Sequence, residues 1–155
     1  MSDAQGSTGF EYGYDGPKSI VVGVDGSDSS WRAAAYAAGL ARRQRSLLVL
    51  VYVQPIATAS WGQAGISLVE TGQQIADELL DYVRTSAARF GDREHVRWEF
   101  RTAQGDPYNG LIAVAEQLRT DAVVVGASEN AGHRIAGSVA VRLVKAGRWP
   151  VTVVP

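Results

Sequence analysis

No cysteine occurs among the 155 residues, which excludes disulfide bridges, thiolate metal sites and cysteine nucleophiles together and fits a reducing compartment. Histidine is nearly absent as well. His95 and His133 are the only two, so an imidazole-based catalytic or metal centre has few parts to be built from. No run approaches the ~18 apolar residues that a membrane span requires. The first seventeen residues carry neither the basic nor the apolar stretch of a secretory leader. A cytoplasmic protein with no membrane partner is expected. Charge of one sign is missing too: fifteen basic residues stand against sixteen acidic ones, for a net charge of −1, with no basic footprint for nucleic acid. The length suits one domain, able to bury roughly 68–70% of its unfolded surface without staples.

What is present is a regular alternation of strand and helix. Residues 1–17 are rich in Gly, Ser and Asp without periodicity and are expected to form a flexible tail, in which Phe10, Tyr12 and Tyr14 are the side chains able to dock on a partner. The domain is expected over 18–155. Residues 19–24 (S-I-V-V-G-V) and 47–53 (L-L-V-L-V-Y-V) are short and continuously apolar, as strands buried on both faces are. Between them lie a cluster of turn and cap residues, 25–30, and an alanine-rich helix over 31–45 that ends in arginines. A loop is expected over 56–65, then a long helix whose apolar residues recur every four positions from Ile75 to Phe90. Residues 96–102 alternate apolar and polar, the pattern of a half-exposed edge strand. Asp106-Pro107 opens the next helix with a cap residue and a proline at the first helical position. A strand over 122–125, a helix over 138–146 and a last strand over 151–154 complete the pattern. It predicts an α/β fold: a single doubly wound, mainly parallel five-stranded sheet with helices on both faces. Ligands of such sheets sit beyond the carboxyl ends of the strands, where the winding reverses.

Two loops with small, polar residues fall at such ends, residues 25–30 and residues 126–138. The second follows Val123 to Val125, stops the strand at Gly126, and restarts as a helix at Gly137-Ser138, an order of strand, small-residue loop and helix start that makes an anion site. If the two loops are neighbours, Asp25 is placed to accept hydrogen bonds from a ribose or base. Val24 and Val53 would then line an apolar slot, and Gly126, Gly137 and Ser138 would face phosphates. Each residue also has a plain structural reading: Asp25 as a turn residue, Gly137-Ser138 as a helix cap, Val53 as core. Familiar phosphate signatures are missing, with no G-x-x-x-x-G-K-[ST] and no G-x-G-x-x-G. There is no G-x-S-x-G elbow, and no general base is evident near the phosphate loop, so no enzyme is expected and no catalytic or metal residue is assigned. His133-Arg134 offers positive charge to a phosphate or is an exposed loop pair.

The strand ending V-V-G-V-D-G-S, the G-D-P before the third helix, and V-V-V-G followed after ten intervening residues by G-S-V and then by W-P-V-T-V-V-P resemble the universal stress protein family over residues 18–155. The resemblance implies a Rossmann-like sheet, a homodimer joined through the last strand, here residues 151–154, and a division into nucleotide binders and non-binders. Binders carry G-x2-G-x9-G-[ST] for the phosphates and an Asp after the first strand for the adenosine. Matched position by position, this implies that Asp25 meets the adenosine and Val53 the base, and that Gly126, Gly137 and Ser138 serve the phosphates of ATP, ADP or AMP. Two departures stand out: Glu129 replaces the second glycine, and seven rather than nine residues separate it from Gly137. A carboxylate about 5 Å from a phosphate oxygen costs on the order of 3 kcal/mol at an effective dielectric near 20. Weak or altered adenine-nucleotide binding is therefore expected, with a non-binding dimeric interaction module as the alternative. The D-G-S-D-S loop is also reminiscent of the S-G-G-x-D-S loop of ATP pyrophosphatases, but Val24 and Asp25 replace its leading Ser and Gly.

Overall fold

A computed structural model describes residues 17–56, 62–90, 95–128 and 138–155. In chain order the elements are β1 (Ser19–Gly23), α1 (Asp28–Gln44), β2 (Leu47–Gln54), α2 (Gly62–Phe90), β3 (Trp98–Gln104), α3 (Pro107–Leu118), β4 (Ala122–Gly126), α4 (Ser138–Ala146) and β5 (Val151–Val154). The sheet order is β3-β2-β1-β4-β5, with every neighbouring pair parallel. The chain winds outward from β1 to β3, returns to β4 on the other side of β1, and winds outward again to β5. The reversal lies between β1 and β4, which makes neighbours of the two candidate loops.

The apolar runs find their reason in two cores, one on each face of the sheet. Ile20, Val22, Leu48, Leu50 and Val124 point toward α1 and α2, while Val21, Val49, Val51, Val123 and Val125 point toward α3 and α4. Central strands of a parallel sheet are covered twice, so both sets of alternate residues must be apolar. β3 is an edge strand whose burial alternates from Trp98 to Phe100 and then shifts phase at Arg101, and its Glu99 and Arg101 pair at 3.0 Å. On α1, Ala33, Ala34, Ala37 and Ala41 form the buried stripe, and their small volume lets the helix lie close to the sheet.

Boundaries shift where capping rather than hydrophobicity decides. α1 begins at Asp28, not at 31, because Ser27 is its N-cap and accepts from the Ser30 amide at 3.2 Å. α2 already starts at Gly62, inside the expected loop, and β3 runs over 98–104 rather than 96–102. Of the expected tail, residues 1–16 lie outside the described residues. Asp121, just before β4, accepts from the amides of Lys18 and Ser19 at 2.8 and 3.0 Å, which ties the start of β1 to β4 at the end of the sheet opposite the two candidate loops.

Asp106 caps α3 as expected, accepting from the Asn109 amide at 3.0 Å, and it also binds Arg142 of α4 at 2.9 Å. The Asn109 amide first, and then Arg142, hold its carboxyl below the ordinary aspartate value. A depressed folded pKa means that this contribution is present above the unfolded pKa and fades as pH falls through the folded one. Asp106→Ala is expected to cost about 1 kcal/mol at neutral pH, the usual loss of an N-cap. Thermal melts of both proteins should converge as pH is lowered below the aspartate range; a constant gap down to the acid limit would contradict the charged cap.

Candidate functional site

The carboxyl ends of β1, β2 and β4 open into one cleft of about 380 Å3 at the reversal point. Val24 and Asp25 enter it from the end of β1, Tyr52 and Val53 from β2, and Gly126, Ala127 and Ser128 from β4. α1 contributes Ser27, Ser29 and Ser30, α3 contributes Pro107 and Leu111, and α4 contributes Val139 and Ala140. The structure thus brings Val24, Asp25, Val53 and Gly126 around one space. Ser138 is the first residue of α4, directly before the lining residue Val139. Gly137, Glu129 and His133 lie outside the described residues.

Asp25 sits in a web of hydroxyls. Its Oδ1 accepts from the Ser27 amide at 2.9 Å, and its own amide donates to Ser30 Oγ at 3.3 Å, while Ser30 Oγ donates to the Ser27 carbonyl at 2.9 Å. Burial pushes its pKa up, but the hydrogen bonds from Ser27 and Ser30 outweigh it, and the net shift is downward. At neutral pH Asp25 is a carboxylate that can only accept. Beside it, Tyr52 is 6% exposed, and burial together with the Asp25 charge raises its hydroxyl pKa. Tyr52 therefore stays protonated and can donate. An acceptor and a donor stand next to apolar Val24 and Val53, an arrangement that suits a planar ligand carrying hydroxyl or amine groups.

Two glycines shape this space. A Cβ on Gly126 would lie 2.6 Å from the Ser29 carbonyl carbon and 2.8 Å from the Ser30 amide nitrogen, so the first turn of α1 rests directly on the tip of β4. That contact orients the N-terminus of α1 into the cleft, where Val139 and Ala140 also bring the first turn of α4. Helix N-termini favour an anion there. The second glycine is Gly110 of α3, where a Cβ would lie 2.6 Å and 2.8 Å from the two methyls of Val53. At the rim, the Arg142 guanidinium lies 3.9 Å from the centroid of the Tyr108 ring while bound to Asp106, which clips α4 to α3.

Tyr52, Ser27, Ser30 and Gly110 are the site residues that sequence reasoning missed. Tyr52 was hidden inside a run read as core, although a lone phenol at the carboxyl end of a buried strand signals a polar end group. Gly110 leaves no such signal, since its partner is 57 positions away in the chain. Among the described residues no group of three or more His, Asp or Glu side chains could hold a metal ion, and no helix is long and apolar enough to cross a membrane.

Comparison with known proteins agrees with this architecture. The model of the universal stress protein family matches residues 17–155. Universal stress protein MJ0531 of Methanocaldococcus jannaschii is 32% identical over 146 residues, covering 88% of this chain and 81% of that protein. Among solved structures, the universal stress protein UspA from Lactobacillus plantarum superposes with a TM-score of 0.76 at 25% identity, over 89% of this chain and 97% of that one. A universal stress protein in complex with cAMP has a TM-score of 0.57 at 23% identity, over 90% and 97% of the two chains. A family protein from Arabidopsis thaliana with AMP bound has a TM-score of 0.63 at 20% identity, over 89% and 91%. The sheet order, the cleft at its reversal point and a family match over nearly the whole chain lead to one assignment: this chain belongs to the universal stress protein family.

Proposed function

We propose that the cleft between the β1 and β4 loops binds an adenine nucleotide, weakly or in an altered mode, and that the protein acts in stress response as a nucleotide-dependent signalling module without turnover. The observation that carries this reading is the meeting of Asp25, Tyr52, Val24 and Val53 with the N-terminal turns of α1 and α4 around one cleft. The carboxylate and phenol suit ribose hydroxyls or the adenine edge, the valines suit its faces, and the helix N-termini suit phosphate. Support comes from the two structural neighbours that hold cAMP and AMP. Glu129 and the short spacing to Gly137 favour ligands with fewer phosphates than ATP.

Calorimetry with ATP, ADP, AMP and cyclic AMP tests the proposal. Binding is expected with at least one of them at high micromolar concentration, and Asp25→Ala should weaken it about tenfold, the equivalent of one lost charge-assisted hydrogen bond near 1.4 kcal/mol. No heat from any of the four would overturn the reading.

One observation favours the second reading, a family member that binds no nucleotide. The contact of Gly126 with Ser29 and Ser30 requires glycine there whether or not phosphate binds. In either case a homodimer through β5 is proposed. β5 is one of the two edges of the sheet, and all four of its residues are only partly buried. An apolar edge of this kind invites pairing with a second copy. Light scattering should give a dimer mass that falls to the monomer in Val153→Lys; a monomer before substitution would refute the dimer.

A further inference from the structure

A second cleft lies between α1 and α2 over β2 and β3, and it measures about 480 Å3. Leu48, Leu50 and Trp98 form its floor, and the small residues Ala34, Ala38 and Gly39 of α1 leave its wall open. A Cβ on Gly39 would meet no atom within 4 Å. Trp31 and Tyr82 pack against each other at the end nearer the α1 N-terminus, with ring centroids 4.2 Å apart and the planes tilted by 36°. Arg42 and His95 line the other end, where Arg97 reaches across to the Arg45 carbonyl at 3.0 Å. The cleft is therefore apolar and aromatic through its length and cationic at one end. Its volume falls within the range of ligand sites.

The described chain begins at that cationic end. The Ser46 hydroxyl donates to the Pro17 carbonyl, and the Leu47 amide donates to the Lys18 carbonyl at 2.9 Å, one residue from the floor residue Leu48. Sixteen residues precede Pro17, and they include Phe10, Glu11, Tyr12, Tyr14 and Asp15. Phe10, Tyr12 and Tyr14 are spaced two apart, so in an extended segment all three rings face one side. At roughly 3.3 Å per residue, Tyr14 lies about 10 Å and Phe10 about 23 Å from Pro17. From Arg42 to Trp31 the cleft runs about 16 Å along α1, at 1.5 Å per residue. Length, spacing of the rings and sign of charge all match.

We propose that the cleft between α1 and α2 is a binding site for this chain's own N-terminal segment, residues 10–15. Its alternate aromatic rings enter the apolar hollow, and Asp15, two residues from Pro17, lies at the end where Arg42 and Arg97 stand. The aromatic rings supply large contact area, and the Asp15 carboxylate at the cationic end favours the direction in which the segment lies. This site is separate from the nucleotide cleft and does not depend on its occupancy.

Because the chain has no cysteine, a pair introduced by substitution is the only pair that can bridge. In the full-length protein, Tyr12→Cys with Ser86→Cys should form an intramolecular disulfide on mild oxidation. Tyr12→Cys with Lys145→Cys, on the exposed face of α4, serves as the control. Docking raises the local thiol concentration, and the first pair should close roughly tenfold faster or more. Equal rates for the two pairs would overturn the proposal, as would bridges formed only between two chains, which would give the cleft to a second copy. As an independent readout, replacing Phe10, Tyr12 and Tyr14 together by alanine should shift tryptophan emission to the red, since Trp31 and Trp98 would become wetter. Unchanged emission would overturn docking even if the paired cysteines disturbed folding.

Discussion

Gly126→Ala is expected to lower the melting temperature by roughly 6–12 °C, the equivalent of about 3 kcal/mol for a domain of this size. The added methyl would sit 2.6 Å from the Ser29 carbonyl carbon, 2.7 Å from its oxygen and 2.8 Å from the Ser30 amide nitrogen. All three atoms are backbone, so no side chain can rotate aside. Either the first turn of α1 must lift from β4 or the tip of β4 must recede. The second route pulls on the Gly126–Val154 register and on the 2.7 Å bond from the Ala127 amide to the Val154 carbonyl. The first disturbs the Ser27–Ser30 web that holds Asp25. Both routes disturb the cleft, so nucleotide binding and stability should fall together. A variant that melts within about 1 °C of the parent yet loses nucleotide would show that Gly126 serves the phosphate alone.

Where burial follows the local pattern, the sequence and the structure agree. β1, β2 and β4 read as buried on both faces because helices cover both faces, and β3 reads as alternating because it lies at the edge. Asp106-Pro107 carries its own helix start in two adjacent residues. The first turns of α2 are different. Residues 62–74 mix Gly, Gln, Ser and Thr with scattered apolar residues, and no helical period emerges from them until Ile75. The site divides in the same way. Asp25 and Gly126 stand out because a strand ends beside them, and their meeting follows from the order of the strands. Tyr52 and Gly110 belong to the site through neighbours distant in sequence, and such contacts exist only once the sheet has formed.

The pair Gly110–Val53 shows how such a contact can be measured. Gly110→Ala is expected to cost about 2 kcal/mol, since the new methyl would meet both Val53 methyls at 2.6 and 2.8 Å and Ala103 Cβ at 3.3 Å. Val53 is branched at Cβ and stiff at χ1, so it cannot swing away without leaving its preferred rotamer. Its accessible escape is toward the cleft, into the space assigned to the base. Val53→Ala alone removes two methyls from a half-buried position and should cost about 1 kcal/mol. In the double variant the clash is gone, and the two costs should not add: a coupling energy of about 1–2 kcal/mol in favour of the pair is expected from thermal or urea melts. Nucleotide affinity should follow the same cycle, falling in Gly110→Ala and recovering in the double variant. Strict additivity in stability would mean that α3 moves as a whole to accept the methyl. Recovery of stability without recovery of affinity would place the base elsewhere than against Val53.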